Sequence, residues 1–165
     1  MSGPTTRANS RHTILFAEDS DNDALLIQRG FQKARFPFEL QFVENGLVAV
    51  DYLNGKGSYA DRSQYPLPCV LLTDLKMPRM CGFELLSWIR SQPAWRKLPV
   101  IVVTGSDQTQ DCQRAMELGA DAYVVKELLM RPPPALFDAI LRCLQPPSED
   151  ARKAWAQRIH RNFVR

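Results

Sequence analysis

The segment VLLTDLKMP, residues 70–78, runs from an apolar stretch directly into an acid. The apolar part is typical of a buried β-strand, and Pro78 prevents that strand from continuing. Burying an unpaired carboxylate costs several kcal/mol, which is on the order of the whole stability margin of a small domain. Asp74 therefore needs a compensating partner and is the first candidate functional residue.

Similar apolar runs occur on both sides of this segment. The predicted strands cover residues 13–19, 38–45, 68–74, 99–105 and 121–126. Four of them are continuous apolar runs that end in polar groups, which indicates strands covered on both faces of a sheet. The fifth, 38–45, alternates between apolar and polar residues and predicts a half-exposed edge strand.

Helical patterns alternate with these strands. The predicted helices cover residues 21–34, 46–53, 82–91, 108–118 and about 134–144. Ser20 is a candidate N-cap of the first helix, whose apolar side is predicted to contain Leu25, Leu26 and Phe31. Gly119 is a candidate C-terminal cap of the fourth helix. Because parallel strands need right-handed crossovers, this alternation predicts a doubly wound α/β domain with helices on both faces of the sheet.

Length and composition restrict the class of protein. With 165 residues the chain is long enough for one well-packed core and short for two, and its 45% hydrophobic and 24% charged residues are typical of globular domains. No stretch approaches the roughly 18 apolar residues of a membrane span, and the polar N-terminus lacks a signal-peptide pattern. The four cysteines form no paired motif, which predicts free thiols and a cytoplasmic protein.

The net charge of +3 is concentrated in residues 149–165, which carry five basic and two acidic residues. A nucleic-acid-binding protein usually has a broader basic face, so we expect no nucleic-acid contact. Trp155, Ile159 and Phe163 recur every four residues and predict a helix with one apolar stripe. Docking on its own domain, dimerisation or kinase docking, and a nucleic-acid or membrane contact remain alternatives for this helix.

The ends of the predicted strands carry the candidate site, because functional residues of open parallel sheets gather at the carboxyl ends of the strands. These ends carry Glu18, Asp19, Asp74, Thr104 and Lys126. Three converging carboxylates raise each other's pKa unless a cation neutralises them, and Mg2+ suits such oxygen ligands. With the charge of Lys126 and the hydroxyl of Thr104, the set is suited to a phosphoryl group, which Asp74 would accept as an acyl phosphate.

The order of these motifs resembles the receiver domain of response regulators in bacterial two-component signalling, over about residues 12–145. The matching residues are Glu18-Asp19 after the first strand, Asp74 followed by Met77-Pro78 and Gly82, Thr104 after the fourth strand, and Tyr123 three residues before Lys126. The resemblance implies a five-stranded sheet of flavodoxin-like order 2-1-3-4-5. A flexible N-terminal segment, 1–11, would precede this domain, and the helix predicted from the apolar stripe would follow it in 146–165. The segment after the fifth helix is too short for an output domain with its own core, which predicts a stand-alone receiver. The long surface loop 54–67 and the absence of proline after Lys126 resemble the small receivers that serve phytochrome-like or hybrid histidine kinases.

The resemblance implies that Asp74 is the phospho-acceptor, that Asp19 binds Mg2+ directly, and that Glu18 helps partly through water. The backbone carbonyl of Lys76 would complete the protein ligands of the metal, and Lys126 would contact the phosphoryl oxygens. Thr104 is implied to move toward the phosphoryl group and to draw Tyr123 inward. The residues expected to modulate the lifetime of the acyl phosphate or access to it are Lys76, Gly105 and Ser106.

The implied partners are a histidine kinase or phosphotransfer protein as donor and a downstream protein as target. Phosphorylation would switch a surface near the fourth helix, the fifth strand and the fifth helix, and a homodimer through that surface or through the C-terminal helix is possible. The sequence departs from the family at Glu127, because receivers usually have proline directly after the lysine. The family's cis peptide bond at that position is therefore not assured.

Two other functions compete with this interpretation. One is a receiver-like adaptor that binds partners without phosphorylation. The other is a small phosphatase that uses Asp74 as its covalent nucleophile, but enzymes of the haloacid dehalogenase type need a second acid two residues later, where this chain has Lys76. We therefore expect no enzymatic turnover beyond slow autodephosphorylation.

Overall fold

Five parallel strands form one sheet in the computed structural model, which describes residues 12–126 and 134–144. The strands are β1 (His12–Ala17), β2 (Phe38–Val43), β3 (Val70–Thr73), β4 (Val100–Thr104) and β5 (Ala122–Val125). Their order in the sheet is β2-β1-β3-β4-β5, and each neighbouring pair is parallel. The predicted doubly wound sheet and its strand order are confirmed.

The helices lie close to their predicted positions. They are α1 (Asp21–Lys33), α2 (Gly46–Asn54), α3 (Gly82–Ser91), α4 (Thr109–Glu117) and α5 (Pro134–Cys143). At the start of α1, Ser20 Oγ accepts a hydrogen bond from the backbone N–H of Asp23 at 3.3 Å, as expected of an N-cap. After α4, Gly119 has a φ of +96°, a conformation that glycine adopts at little cost.

Three predictions concern residues outside the described ranges. They are the flexible segment 1–11, the helical extension 146–165, and the geometry of the peptide bond between Lys126 and Glu127. All three stay predictions. Within 12–126 and 134–144, no helix has both the length and the apolar character needed to cross a membrane.

Apolar side chains pack on both faces of the sheet. On one face, α1 and α5 contribute Phe31 and Phe137 to the core, and on the other, α2 and α3 contribute Tyr52 and Leu85. All residues of β3 and β4 are buried, whereas β2 at the edge is partly exposed, as the two sequence patterns predicted. Because each large apolar side chain that is fully buried contributes about 1.5–3 kcal/mol, these two cores hold the strand ends in place.

The apolar face of α1 differs from the predicted one. Ile27 and Phe31 are buried, but Leu25 and Leu26 are 42% and 51% exposed. The prediction that Leu25, Leu26 and Phe31 share the buried side is therefore wrong. At 3.6 residues per turn, Leu25 and Leu26 lie about 120° and 140° around the helix from Phe31, whereas Ile27 lies only about 40° away.

A largely buried arginine connects the amino ends of β4 and β5. Arg90 in α3 donates hydrogen bonds to the carbonyl oxygen of Gly119 at 2.6 and 2.9 Å and to that of Leu98 at 2.8 Å. It also contacts Asp121 Oδ2 at 3.0 Å, and that oxygen accepts a second hydrogen bond from the backbone N–H of Val100. This end of the sheet is therefore held by one guanidinium group, bonded mostly to main-chain oxygens.

The loop 54–67 packs against α2 and is part of the domain. Tyr59 and Tyr65 lie against Tyr52, with ring centroids 5.1 and 6.0 Å from its own. Arg62 donates hydrogen bonds at 2.8 Å to two carbonyl oxygens in the last turn of α2. The arginine thereby satisfies backbone acceptors that the end of a helix leaves without partners.

Helix α3 begins in direct contact with the main chain of Asp74. The backbone N–H of Gly82 donates to the carbonyl oxygen of Leu75 at 3.0 Å, and a Cβ atom at position 82 would overlap the carbonyl oxygen of Asp74. Only glycine fits there, because the atom that would be displaced belongs to the backbone.

Candidate functional site

The carboxyl ends of β1, β3 and β5 bring three charged residues into contact. Lys126 Nζ lies 2.7 Å from Glu18 Oε2, 2.8 Å from Asp74 Oδ2 and 2.8 Å from Asp23 Oδ2. Glu18 and Asp74 follow strands that are neighbours in the sheet, and Lys126 follows the edge strand β5. The strand-end argument thus located Glu18, Asp74 and Lys126 correctly, and it missed Asp23.

Asp74 is buried, and both of its carboxylate oxygens have donors. Oδ1 accepts hydrogen bonds from the backbone N–H groups of Leu75 at 2.6 Å and Lys76 at 3.4 Å, and Oδ2 accepts one from Lys126. These contacts compensate the cost of burying the carboxylate at the end of an apolar strand. The buried acid of the segment 70–78 has its partner in Lys126.

Glu18 is more deeply buried than its sequence neighbour Asp19. Its Oε1 accepts a hydrogen bond from the backbone N–H of Ser20 at 3.0 Å, and its Oε2 forms the ion pair with Lys126 without a well-directed hydrogen bond. Burial raises the pKa of Glu18, and the contact with Lys126 opposes that rise. The neighbouring cation therefore stabilises the ionised form of the Glu18 carboxyl group.

Lys126 is the cation that holds this group of acids together. Burial alone would lower its pKa, but the bonds to Asp23, Asp74 and Glu18 outweigh burial and raise the pKa above the ordinary value. Its side chain is only 15% exposed. Lys126 consequently stays charged at neutral pH.

Three acids are arranged in a way that fits a divalent metal ion. Oxygen atoms of Glu18, Asp19 and Asp74 all lie within 4.8 Å of one another. Carboxylate oxygens at such spacing are ligands that Mg2+ prefers, and Glu18 Oε2 still lacks a directed donor. Asp19 is exposed, so a bound ion would be open to water and to an incoming anion. The three carboxylates therefore fit the Mg2+ ion expected from the sequence. That the backbone carbonyl of Lys76 is a further ligand stays a prediction.

A second group of polar residues lies in β4, in β5 and in the segment that leads from β4 into α4. Thr104 is buried at the end of β4, and its Oγ1 accepts a hydrogen bond from the backbone N–H of Ser106 at 3.4 Å. The hydroxyl of Tyr123 donates to the carbonyl oxygen of Ser106 at 2.9 Å, and Ser106 Oγ donates to Asp111 Oδ2 at 2.6 Å. Burial raises the pKa of Tyr123. Thr104, Tyr123 and the first turn of α4 are thus connected through Ser106.

Gly105 lies between Thr104 and Ser106 and is exposed. A Cβ atom at this position would meet no other atom within 4 Å. The loop after β4 therefore leaves open space beside the strand ends, as the small residue suggested.

Two residues of the site escaped the sequence argument. Asp23 lies in the first turn of α1, where an acid is explained equally well by the helix dipole, and Asp111 lies in the corresponding turn of α4. The spacing of Asp23 from the N-cap Ser20 was the available signal. It does not reveal that Lys126, more than 100 residues later, is the partner.

Comparisons with known proteins agree with this geometry. The chain is 32% identical to the response regulator Rcp1 of Synechocystis sp. over 119 residues, which cover 72% of this chain and 79% of Rcp1. The structure of the Mn2+-bound form of Rcp1 superposes with a TM-score of 0.70 at 28% identity, covering 83% of this chain and 99% of that one.

Two further solved structures are similar over nearly the same region. A response regulator in red light signaling of R. palustris superposes with a TM-score of 0.73 at 30% identity, covering 83% of this chain and 99% of that one. The phosphorylated cyanobacterial phytochrome response regulator RcpA superposes with a TM-score of 0.72 at 27% identity, covering 84% and 100%.

The family comparison covers both groups of polar residues. The model of the response regulator receiver domain matches residues 14–136, which include every residue of the two groups described above. The chain therefore belongs to the response regulator receiver domain family.

Proposed function

We propose that Asp74 is the residue of this receiver that accepts the phosphoryl group. The observation that supports the assignment is its position: a buried carboxylate at the end of β3, bonded to Lys126 and lying within 4.8 Å of oxygens from Glu18 and Asp19. Glu18 also contacts Lys126 and belongs to the same group of acids, but its side chain is 0% exposed against 9% for Asp74, so Asp74 is the more accessible of the two to a donor. The phosphorylated state of the similar protein RcpA agrees with such a role.

The reaction is an in-line displacement at phosphorus. A bond forms between an Asp74 oxygen and phosphorus while the bond from phosphorus to the donor breaks, and the donor leaves as neutral imidazole after taking a proton from solvent, or as acetate from acetyl phosphate. Lys126 contacts the Asp74 carboxylate at 2.8 Å and offers an ammonium donor to the phosphoryl oxygens. Asp74 Oδ1 stays oriented by the N–H groups of Leu75 and Lys76.

Glu18, Asp19 and Asp74 would hold Mg2+, together with the carbonyl of Lys76, and Glu18 would act partly through water. When bound, the ion would supply positive charge to offset the negative charge of the phosphoryl oxygens. The Mn2+-bound form of Rcp1 supports a divalent cation in this family.

The signal would leave the site through Thr104. A phosphoryl group on Asp74 attracts the Thr104 hydroxyl, which gives up the N–H of Ser106 as its partner. Because Ser106 also binds Tyr123 and Asp111, the shift reaches β5 and the first turn of α4. Lys76, Gly105 and Ser106 would modulate the lifetime of the acyl phosphate and access to it.

The proposed donor is a histidine kinase or a phosphotransfer protein, and the proposed target is a protein that reads the α4-β5-α5 surface. A homodimer through that surface or through residues 146–165 is the alternative use of the switch. The role is that of a cytoplasmic phosphoryl acceptor with slow self-hydrolysis rather than that of a turnover enzyme. Residues 12–145 would form the receiver, flanked by segments 1–11 and 146–165.

Intact-mass spectrometry tests the acceptor. Incubation with acetyl phosphate and Mg2+ should add one phosphoryl group to the wild type and none to Asp74→Asn. Asp61→Asn, which changes an exposed acid in the loop before β3, should behave like the wild type. Chelation of Mg2+ should prevent the addition. An unchanged mass of the wild type, with a cognate kinase also failing to transfer, would contradict the proposal.

A further inference from the structure

Asp23 contacts the site without belonging to a strand end. It lies in the first turn of α1, and its backbone N–H is bonded to the N-cap Ser20, whose own N–H is bonded to Glu18. This short chain of hydrogen bonds fixes the position of Asp23 relative to Glu18. The carboxylate then reaches Lys126 Nζ at 2.8 Å.

The contact is more than the ordinary stabilisation of an acid at a helix start. An ammonium group has three protons, and the Lys126 ammonium faces three carboxylates, those of Glu18, Asp23 and Asp74. Two of these protons are used in hydrogen bonds to Asp23 and Asp74, and the ion pair with Glu18 occupies a third side of the ammonium group. A phosphoryl group on Asp74 brings additional negatively charged oxygens to the same place, and these compete with Glu18 and Asp23 for the ammonium group.

Burial decides which contact yields. The side chain of Glu18 is 0% exposed, so water cannot replace Lys126 as its partner, whereas the side chain of Asp23 is 36% exposed. Giving up a buried charge contact is costly, and giving up a half-exposed one is cheap because water solvates the released carboxylate. Of the two acids that keep their charge on phosphorylation, Asp23 is the one that Lys126 can release at lower cost.

We propose that Asp23 is a positioning residue that competes with the phosphoryl group for the Lys126 ammonium. In the unphosphorylated protein it holds the lysine beside Asp74, and on phosphorylation it releases one donor to the phosphoryl oxygens. The contact therefore lowers the affinity of the site for a phosphoryl group. This inference rests on the proposed role of Asp74.

Beryllofluoride tests the competition without turnover, since it binds carboxylate oxygens as a phosphoryl analogue. Its affinity is measured by fluorine NMR titration at saturating Mg2+ in the full chain. Asp23→Asn keeps the shape of the side chain and the backbone cap but loses the charge, and it should bind beryllofluoride about fivefold more tightly than the wild type.

Asp21→Asn is the matched control, because Asp21 is an exposed acid in the same turn and is not among the carboxylates that contact Lys126. It should change the affinity by less than about twofold. Equal affinities of Asp23→Asn and the wild type, or equal gains in the two variants, would overturn the inference.

A second measurement separates positioning from a general effect on the fold. In wild type the Lys126 ammonium protons should exchange slowly with water, and Asp23→Asn should accelerate that exchange, which NMR of the lysine side chain detects. Unchanged exchange would overturn the inference. If the wild type itself binds no beryllofluoride, the proposed role of Asp74 fails and this inference with it; if only the variant shows no shift, the role of Asp74 stands.

Discussion

Two basic side chains, Lys126 and Arg90, lie at opposite ends of the sheet, and both are largely buried. The partners of Lys126 are carboxylates, whereas those of Arg90 are mostly carbonyl oxygens of the main chain. A carboxylate can exchange its lysine partner for a metal ion, and the lysine can exchange a carboxylate partner for a phosphoryl group. A main-chain carbonyl, in contrast, keeps its position as long as the fold persists. The carboxyl end is therefore suited to exchange ligands, and the amino end is suited to hold the fold.

The two ends of the sheet also differ in their balance of charge. Around Lys126, the carboxylates of Glu18, Asp19, Asp23 and Asp74 outnumber the single ammonium group. Around Arg90, one guanidinium faces one carboxylate, that of Asp121. An excess of negative charge attracts a divalent cation, whereas a balanced pair does not. The following experiments can break or sharpen this comparison.

The largest expected effect is on phosphoryl addition. Lys126→Gln should slow the addition from acetyl phosphate by about a hundredfold, because it removes a positive charge from the reacting oxygens. Arg90→Gln should stay within about twofold of the wild type, since distant sites act independently. Time courses by intact-mass spectrometry measure both rates. Similar losses in the two variants would break the comparison.

The next effect is on stability. Arg90→Ala should lower the free energy of unfolding by about 2 kcal/mol, because the carbonyl oxygens of Gly119 and Leu98 lose their donor. Urea denaturation measures this loss, which Mg2+ should not restore. Lys97→Ala changes an exposed residue nearby and should cost less than about 0.5 kcal/mol. An equal cost of both changes would show that Arg90 does not hold the amino end.

A smaller effect distinguishes the carboxyl end by its response to metal. At ten times its Kd, Mg2+ should raise the free energy of unfolding of the wild type by about 1.4 kcal/mol. Asp19→Asn should lose most of this gain, and Arg90→Ala should keep it. Thermal unfolding with and without Mg2+ measures the three gains. A full gain in Asp19→Asn would contradict the assignment of the metal ligands.

The smallest effect comes from a region with neither cation, and it serves as a reference for both. Burial raises the pKa of Tyr52 from 10.0 to about 12, and its hydroxyl donates to the carbonyl oxygen of Pro66 at 2.8 Å. The native state keeps this proton where the unfolded state has lost it, so stability falls as the pH rises from about 10 to about 12 and is unaffected below.

At about pH 10.5 the expected loss from Tyr52 is under about 1 kcal/mol. Denaturation curves in Tyr52→Phe should lack this contribution to the pH dependence. The slope should persist in Lys126→Gln. Identical pH profiles of Tyr52→Phe and the wild type would show that another group, such as Tyr59 or Tyr123, carries the effect.

The sheet and the residues at its strand ends were predictable from the sequence for a physical reason. Continuous apolar runs can be buried only between two layers, and a polar residue at the end of such a run marks the edge of the sheet. Glu18, Asp74, Thr104 and Lys126 were found in this way. The pattern needs no knowledge of how the helices are oriented.

Features that depend on helix orientation were not predictable. Leu25 and Leu26 were assigned to the core because a helical pattern defines a face only to within a fraction of a turn, and packing against Phe31 selected Ile27 instead. Asp21 and Asp23 both lie in the first turn of α1, and the sequence does not indicate which of the two faces the site. Arg90 gave no signal at all, because its main partners are backbone oxygens, which every residue has.

Helix α3 has one further consequence. The first residue of α3, Gly82, has no room for a side chain against Asp74. In the last turn of the same helix, Arg90 is hydrogen-bonded at the opposite, amino end of the sheet. The eight-residue step between them spans about 12 Å. A displacement of the Asp74 main chain by a fraction of an ångström would therefore also displace the first turn of α3. Because Arg90 fixes the last turn of α3, we expect the displacement to be transmitted along the helix to the amino end of the sheet.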